Sequence, residues 1–309
     1  MNDPALRSAT SWLMNRPYLL LSLAPLFWAG NIVLGRFIAA DFPPMALSFL
    51  RWGCACLIVL PFAWPHLRAD WPMIRKHLPL LTLLSLTGLA GYNAIAYLGL
   101  QSTQALNALL IQSSGPLFVA LWSLILLGIR LTWPQTIGIG ISLLGVLTIL
   151  SRGQPEILTA IHLNRGDLLV TLGMVVFGIY SVLAMKRPAI HPLAFVAFTS
   201  GYGTLLLIPA VIVEALSGHH PALSVNNALT LAYVAIFPSI LAYLFFNRGV
   251  ELIGANRAAP FFHLIPVFGS VLAIAFLGER PHLYHLAGYA LVLTGVVIAA
   301  RKSARRASA

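Results

Sequence analysis

Asn93 and Tyr97 stand four residues apart in one apolar run of this chain, and Ser239, Tyr243 and Asn247 repeat that interval in another. On a helix, the interval stacks side chains on one face. In the first apolar run Trp28 and Asn31 share a face with Gly35, and the counterparts at an offset of 149 residues are Phe177, Tyr180 and Ala184. Amides, hydroxyls and aromatic rings are poor acids and bases near neutral pH. They supply hydrogen-bonding dipoles and flat apolar walls, the two things a small-molecule pocket needs. The same groups would also serve as inter-helix hydrogen bonds and packing, and spacing alone leaves both readings open.

Ionisable residues inside these runs are few. Asp41, Asp167, Glu214, Glu251 and Glu279 all fall at or near the ends of apolar segments. Arg51 lies about seven residues, roughly 10 Å, into the second run, which suits either snorkelling to an interface or anion binding. His263 lies deeper, three residues before Pro266, as a core histidine, a cavity ligand or a proton relay. Pro116 and Pro266 occur in matching runs, as gating bends or as static kinks. Cys54 and Cys56 are two apart on different helix faces, which argues against a disulfide or a zinc pair. No His-Glu-x-x-His and no nucleophile with its base occurs, and His219-His220 stand outside the apolar runs. Neither an intramembrane enzyme nor a metal or other cofactor is expected.

The elements that must position these groups follow from composition. Of 309 residues, 59% are hydrophobic and 9% charged, against about 25% charged in soluble domains. The predicted class is an all-α polytopic membrane protein. A helix needs about 20 mostly apolar residues to cross a bilayer, and ten windows of that size fall near 18–39, 44–64, 78–98, 104–127, 133–151, 167–185, 192–214, 227–247, 256–277 and 282–300. The first is too long for a signal-peptide core and reads as a retained span. The net charge of +11 forms no basic stripe interleaved with aromatics, so nucleic acid is not an expected partner. With the N-terminus in the cytoplasm, fourteen of the nineteen Lys and Arg fall inside and four outside, with Arg51 within a span. That bias predicts both termini in the cytoplasm.

The second half repeats the first. Gly99, Pro116, Phe118, Leu127, Gly128, Arg130, Gly138 and Gly145 recur 150 residues later as Gly249, Pro266, Phe268, Leu277, Gly278, Arg280, Gly288 and Gly295. Five spans per copy is an odd number, so the copies must be inverted relative to each other around a central cavity, the architecture of a transporter. The predicted organisation is a first repeat over 1–151, an outer linker over 152–166 and a second repeat with a cytoplasmic tail over 167–309. A channel is disfavoured because no ring of filter residues is visible.

The run from Asn247 through Gly254-Ala255-Asn256-Arg257, Pro266-Val267-Phe268, Leu277-Gly278-Glu279-Arg280, Gly288 and Gly295 resembles the EamA repeat of the drug/metabolite transporter superfamily. The first half carries the same frame, from Leu98-Gly99-Leu100 through Pro116-Leu117-Phe118 to Leu127-Gly128-Ile129-Arg130, Gly138 and Gly145. The resemblance implies an inner-membrane exporter or facilitator of small metabolites, with bacterial aromatic amino-acid exporters as a close branch. Ile129 departs from the family's Glu, and Gly115 and Ile265 precede the repeat prolines where many members carry Glu. The absence of those two acids argues against carboxylate-driven cation binding in the cavity. The expected substrate-binding set is Trp28, Asn31, Asn93, Tyr97, Tyr180, Ser239, Tyr243, Asn247 and His263, with a small-molecule substrate and the lipid bilayer as the partners and no obligatory protein partner.

Overall fold

Long apolar runs become helices in this chain because a backbone in hydrocarbon must satisfy its own N–H and C=O groups. The computed structural model describes residues 12–129, 132–154, 164–254 and 258–300. Arg130, most of the 152–166 linker, Asn256, Arg257 and both chain ends lie outside the described residues. Helices α1 (Pro17–Phe37), α2 (Pro44–Lys76), α3 (Leu78–Leu100), α5 (Trp133–Leu150), α6 (Arg165–Ala184), α7 (Pro192–Leu216) and α8 (Val225–Ile253) are each long and apolar enough to cross a membrane. Helix α4 is a broken pair, Ala105–Gln112 and Gly115–Leu127, bent by 42°. Helix α9 enters as a 3-10 turn, Ala259–His263, and continues as Leu264–Leu277, while α10 spans Leu283–Ala300. The apolar parts of these last two are shorter than a full crossing. The protein is therefore a polytopic all-α membrane protein with seven or eight full-length apolar spans among the described residues.

Helix α2 runs twelve residues past the window 44–64. Arg68, Asp70, Arg75 and Lys76 end the hydropathy signal but not the helix. Its 33 residues span roughly 50 Å, well beyond a hydrocarbon core of about 30 Å. Leu57, Phe62, Ile125, Leu205 and Phe276 are exposed on the outside of the bundle, whereas Asn31, Ser48, Arg51, Asn93 and Ser239 are buried. That inside-out polarity is what a lipid solvent demands.

The copies interlock. Helix α1 packs on α8 and α9, as α6 packs on α3 and α4; α2 packs on α7, and α5 on α10. The α5/α10 contact is reciprocal. Gly145 lies against the Gly288 backbone and Gly138 against Gly295, so the partner number falls as the residue number rises and the helices run antiparallel. Ser142 Oγ donates to the Val292 carbonyl at 3.2 Å, one repeat interval away.

Carboxylates join separate segments by capping helix N-termini, where unpaired N–H groups and the helix dipole favour negative charge. Glu214 accepts from the Met45 and Ala46 N–H groups at 3.1 and 2.8 Å. Glu279 accepts from those of Ala105 and Leu106 at 2.7 and 2.8 Å. The repeat motif thus has a mechanical meaning: Gly278, at φ 65°, ends α9 in the left-handed conformation, and the next residue caps α4. Gly128 ends α4 with the same φ of 65°, but Ile129 has no carboxylate to offer in return. Glu279→Ala should lower stability by about 2 kcal/mol, read as a fall in the melting temperature of detergent-solubilised protein. Glu279→Gln, which keeps one acceptor, should lose less.

Candidate functional site

Helices α3 and α8 each contain a π-helical segment, Ser85–Gly91 and Phe237–Leu241, at corresponding places in the two copies. Such turns weaken the regular i to i−4 bonding and leave carbonyls to be satisfied by side chains. Asn93 Nδ2 donates to the Gly88 and Leu89 carbonyls at 3.3 and 3.0 Å. Ser239 Oγ donates to Val234 O at 2.7 Å. With their donors spent on backbone, both side chains present an acceptor to the interior.

Those acceptors meet Arg51. Its Nε donates to Ser239 Oγ at 2.7 Å, and Nη1 donates to Asn93 Oδ1 at 2.8 Å, Tyr97 OH at 2.9 Å and Asn31 Oδ1 at 3.1 Å. Tyr97 OH also donates to Asn31 Oδ1. Residues of α1, α2, α3 and α8 thus converge on one guanidinium that is 3% exposed. The snorkelling expectation does not hold for Arg51. With four polar acceptors inward of it and the Trp52 ring 4.6 Å beneath it, the interior satisfies the guanidinium better than an extended path to the interface would. The only ion pair among the described residues joins Arg248 and Glu251, so no acidic side chain neutralises Arg51.

Aromatic rings lie beside this polar centre. Trp28 stacks on Phe262 with ring centroids 5.4 Å apart and meets Tyr243 edge-on at 5.8 Å. Its Nε1 donates to Pro238 O at 3.2 Å, within the π segment of α8. Tyr180 and Tyr243 join Trp52, Leu89 and Ile240 in one apolar cluster. Gly88 makes room for this, since a Cβ there would collide with the Tyr180 ring.

Of the residues singled out from sequence, Asn31, Asn93, Tyr97 and Ser239 contact Arg51, and Trp28, Tyr180 and Tyr243 form the neighbouring aromatic wall. Asn247 is exposed on α8, outside the group. His263 is half-buried at the end of the 3-10 turn, and its backbone carbonyl accepts from Tyr289 OH at 3.2 Å. Pro116 follows the 42° break in α4, and Pro266 follows the 3-10 to α transition in α9. Ser48 and Trp52 are missing from the residues that spacing singled out, although Ser48 precedes Arg51 by one turn and Trp52 follows it directly, an i, i+3, i+4 set on one helix face.

Two cavities, of about 630 and 460 Å³, lie elsewhere, lined in common by Arg36, Gln104 and His282. Arg36 is five residues beyond Asn31 on α1, roughly 7.5 Å along the axis. Neither cavity is lined by Asn31, Arg51, Asn93, Tyr97 or Ser239, which are all buried. Beside the smaller cavity, buried Asp167 accepts from Thr103 Oγ1 and, through both oxygens, from Asn107 Nδ2 at 3.1 Å. Asn107 Oδ1 meets His285 Nε2 at 2.8 Å.

Residues 15–151 and 164–301 each match the model of the EamA-like transporter family. The chain is 28% identical over 286 residues to the uncharacterized transporter YyaM of Bacillus subtilis strain 168, covering 91% of this chain and 92% of that one. It is 25% identical to a probable terminal-alkyne amino-acid exporter of Streptantibioticus cattleyicolor, covering 87% and 91% of the two chains. A crystal structure of a 20% identical protein superposes with a TM-score of 0.60 over 95% of this chain and 99% of the other, a likeness of fold. Two matched segments covering most of the chain, and a bundle with a buried polar centre, make this protein a member of the EamA-like transporter family within the drug/metabolite transporter superfamily, a transporter of small molecules and not an enzyme.

Proposed function

We propose that the protein moves small neutral or zwitterionic metabolites, amino acids including aromatic ones, out across the bacterial inner membrane by alternating access, as a passive uniporter. The observation that carries this reading is the convergence of Asn31, Asn93, Tyr97 and Ser239 from three helices on Arg51, with aromatic walls beside them. Dipoles and flat apolar faces suit an amphipathic solute. A relative named as a probable amino-acid exporter supports the substrate class.

In this reading ten spans form two inverted five-helix halves, 1–151 and 167–309, joined by an outer linker over 152–166, with both termini cytoplasmic. The antiparallel, reciprocal crossing of α5 and α10 supports the inversion, because such contacts arise across a two-fold axis. Pro116 and Pro266 mark the bends at which α4 and α9 flex.

One observation favours a second reading, proton-coupled antiport. Asp167 is fully buried beside a cavity, and no described cation pairs with it. Purified protein in liposomes, assayed for L-phenylalanine flux with and without an imposed pH gradient, separates the two. Uniport requires downhill flux and no gradient-driven accumulation. Accumulation abolished by Asp167→Asn or His263→Gln would replace uniport with proton exchange and identify the coupling residue.

A further inference from the structure

Burying a guanidinium away from water is costly even after relaxation. Four neutral acceptors satisfy Arg51's hydrogen bonds but leave its charge uncompensated, and an anion would complete the arrangement. Unused donors surround it. No hydrogen bond reaches Nη2 among the described residues, where Arg51 donates only through Nε and Nη1. Ser48 Oγ and Trp52 Nε1 are buried without a partner. Ser48, Arg51 and Trp52 are 0%, 3% and 2% exposed and stand at i, i+3 and i+4, on one face of α2. Native interiors rarely leave such groups unpaired, and a bound ligand is one established reason.

We propose that Arg51 is the docking point for a carboxylate on the transported molecule. Asn31, Asn93, Tyr97 and Ser239 hold the guanidinium in the ligand-free state by standing where carboxylate oxygens would otherwise be. Guanidinium suits this task because its planar fork matches a carboxylate with two parallel hydrogen bonds. The Trp52 ring at 4.6 Å and the Tyr97 ring at 6.0 Å steady the fork. The aromatic cluster of Trp52, Tyr180 and Tyr243 provides a wall for the ligand's apolar body. The π segments of α3 and α8, which carry or adjoin Asn93 and Ser239, are the places where the closed centre opens to admit it. No acidic side chain faces this centre among the described contacts, so a ligand ammonium group meets only dipoles. The carboxylate is required, and the amine is dispensable.

The inference rests on the small-metabolite reading above and narrows it to carboxylates. The test compares L-phenylalanine, L-phenylalaninamide and 3-phenylpropionate, by calorimetric binding to detergent-solubilised protein and by flux in liposomes. The parent should bind both carboxylates roughly tenfold to a hundredfold more tightly than the amide, the range for a lost charge-assisted hydrogen bond. Arg51→Gln should remove that preference, while Arg51→Lys should keep it in weaker form. If Arg51→Gln does not fold, the parent's own discrimination decides. An amide that binds and moves as well as the free acid overturns the carboxylate subsite but leaves amino-acid transport standing. Phenylpropionate binding without phenylalanine flux retires the amino-acid reading and keeps the subsite. Failure of both carboxylates to bind overturns the subsite.

Discussion

Gly145→Leu should leave no monodisperse protein in detergent, whereas Gly140→Leu, on the same helix, should purify as the parent does. A Cβ at Gly145 would stand 2.6 Å from the Gly288 carbonyl and 2.8 Å from the Val292 nitrogen, both backbone atoms that cannot swing aside. A Cβ at Gly140 meets nothing within 4 Å. Helices in lipid associate largely through close van der Waals packing of small residues, with no hydrophobic drive to rejoin them once separated. Leucine at 145 forces α5 and α10 apart along their whole crossing, an overpacking defect of about 4 kcal/mol or more. Size-exclusion profiles and melting curves of the two variants check the contrast. Equal behaviour would mean that the crossing does not hold the halves together.

Asp167→Ala should lower stability by about 3–5 kcal/mol, because it leaves the buried donors of Thr103 and Asn107 unpaired at about 1–3 kcal/mol each and opens a small cavity. Its carboxylate holds Thr103 and both oxygens engage Asn107 Nδ2, and Asn107 Oδ1 in turn meets His285 Nε2 at 2.8 Å. The His282 backbone N–H donates to His285 Nδ1 at 2.8 Å, which fixes the imidazole as the neutral tautomer with its proton on Nε2. Truncation strands donors on α4 and on the connection before it. Asp167→Asn keeps the shape and one acceptor and should lose about 1–2 kcal/mol. Thermal melts in detergent rank the three proteins, and equal melting of the alanine variant would show that water replaces the carboxylate.

Much of the scaffold could be read from sequence because hydrocarbon enforces a simple rule of length and apolarity. The windows 44–64 and 227–247 began at or within two residues of α2 and α8, but both helices ran on, since a polar residue ends a hydropathy signal without ending a helix. Four-residue spacing brought out Asn93 with Tyr97 and Ser239 with Tyr243, because it reports a shared face. It could not report depth or facing: Asn247 continues the stripe in sequence yet lies exposed on α8. Arg51 was weighed by its distance from the helix end, and that measure misses the acceptors that three other helices bring to it. The π segments left no signature in composition, although they free Asn93 and Ser239 to face the guanidinium. Asp167 read as a residue at a helix end, which it is, but a helix end can be enclosed by its neighbours.

The carboxylate of Glu279 on the N-terminus of α4 has no twin, because the corresponding position is Ile129. In any cycle that exchanges the conformations of the two halves, the end states would be related by a two-fold rotation and equal in energy only if every contact had a counterpart. Here one fastening exists on one side alone. If the two halves exchange conformations as proposed, a cap worth about 1–2 kcal/mol that formed in one end state alone would tip the balance between the two roughly tenfold.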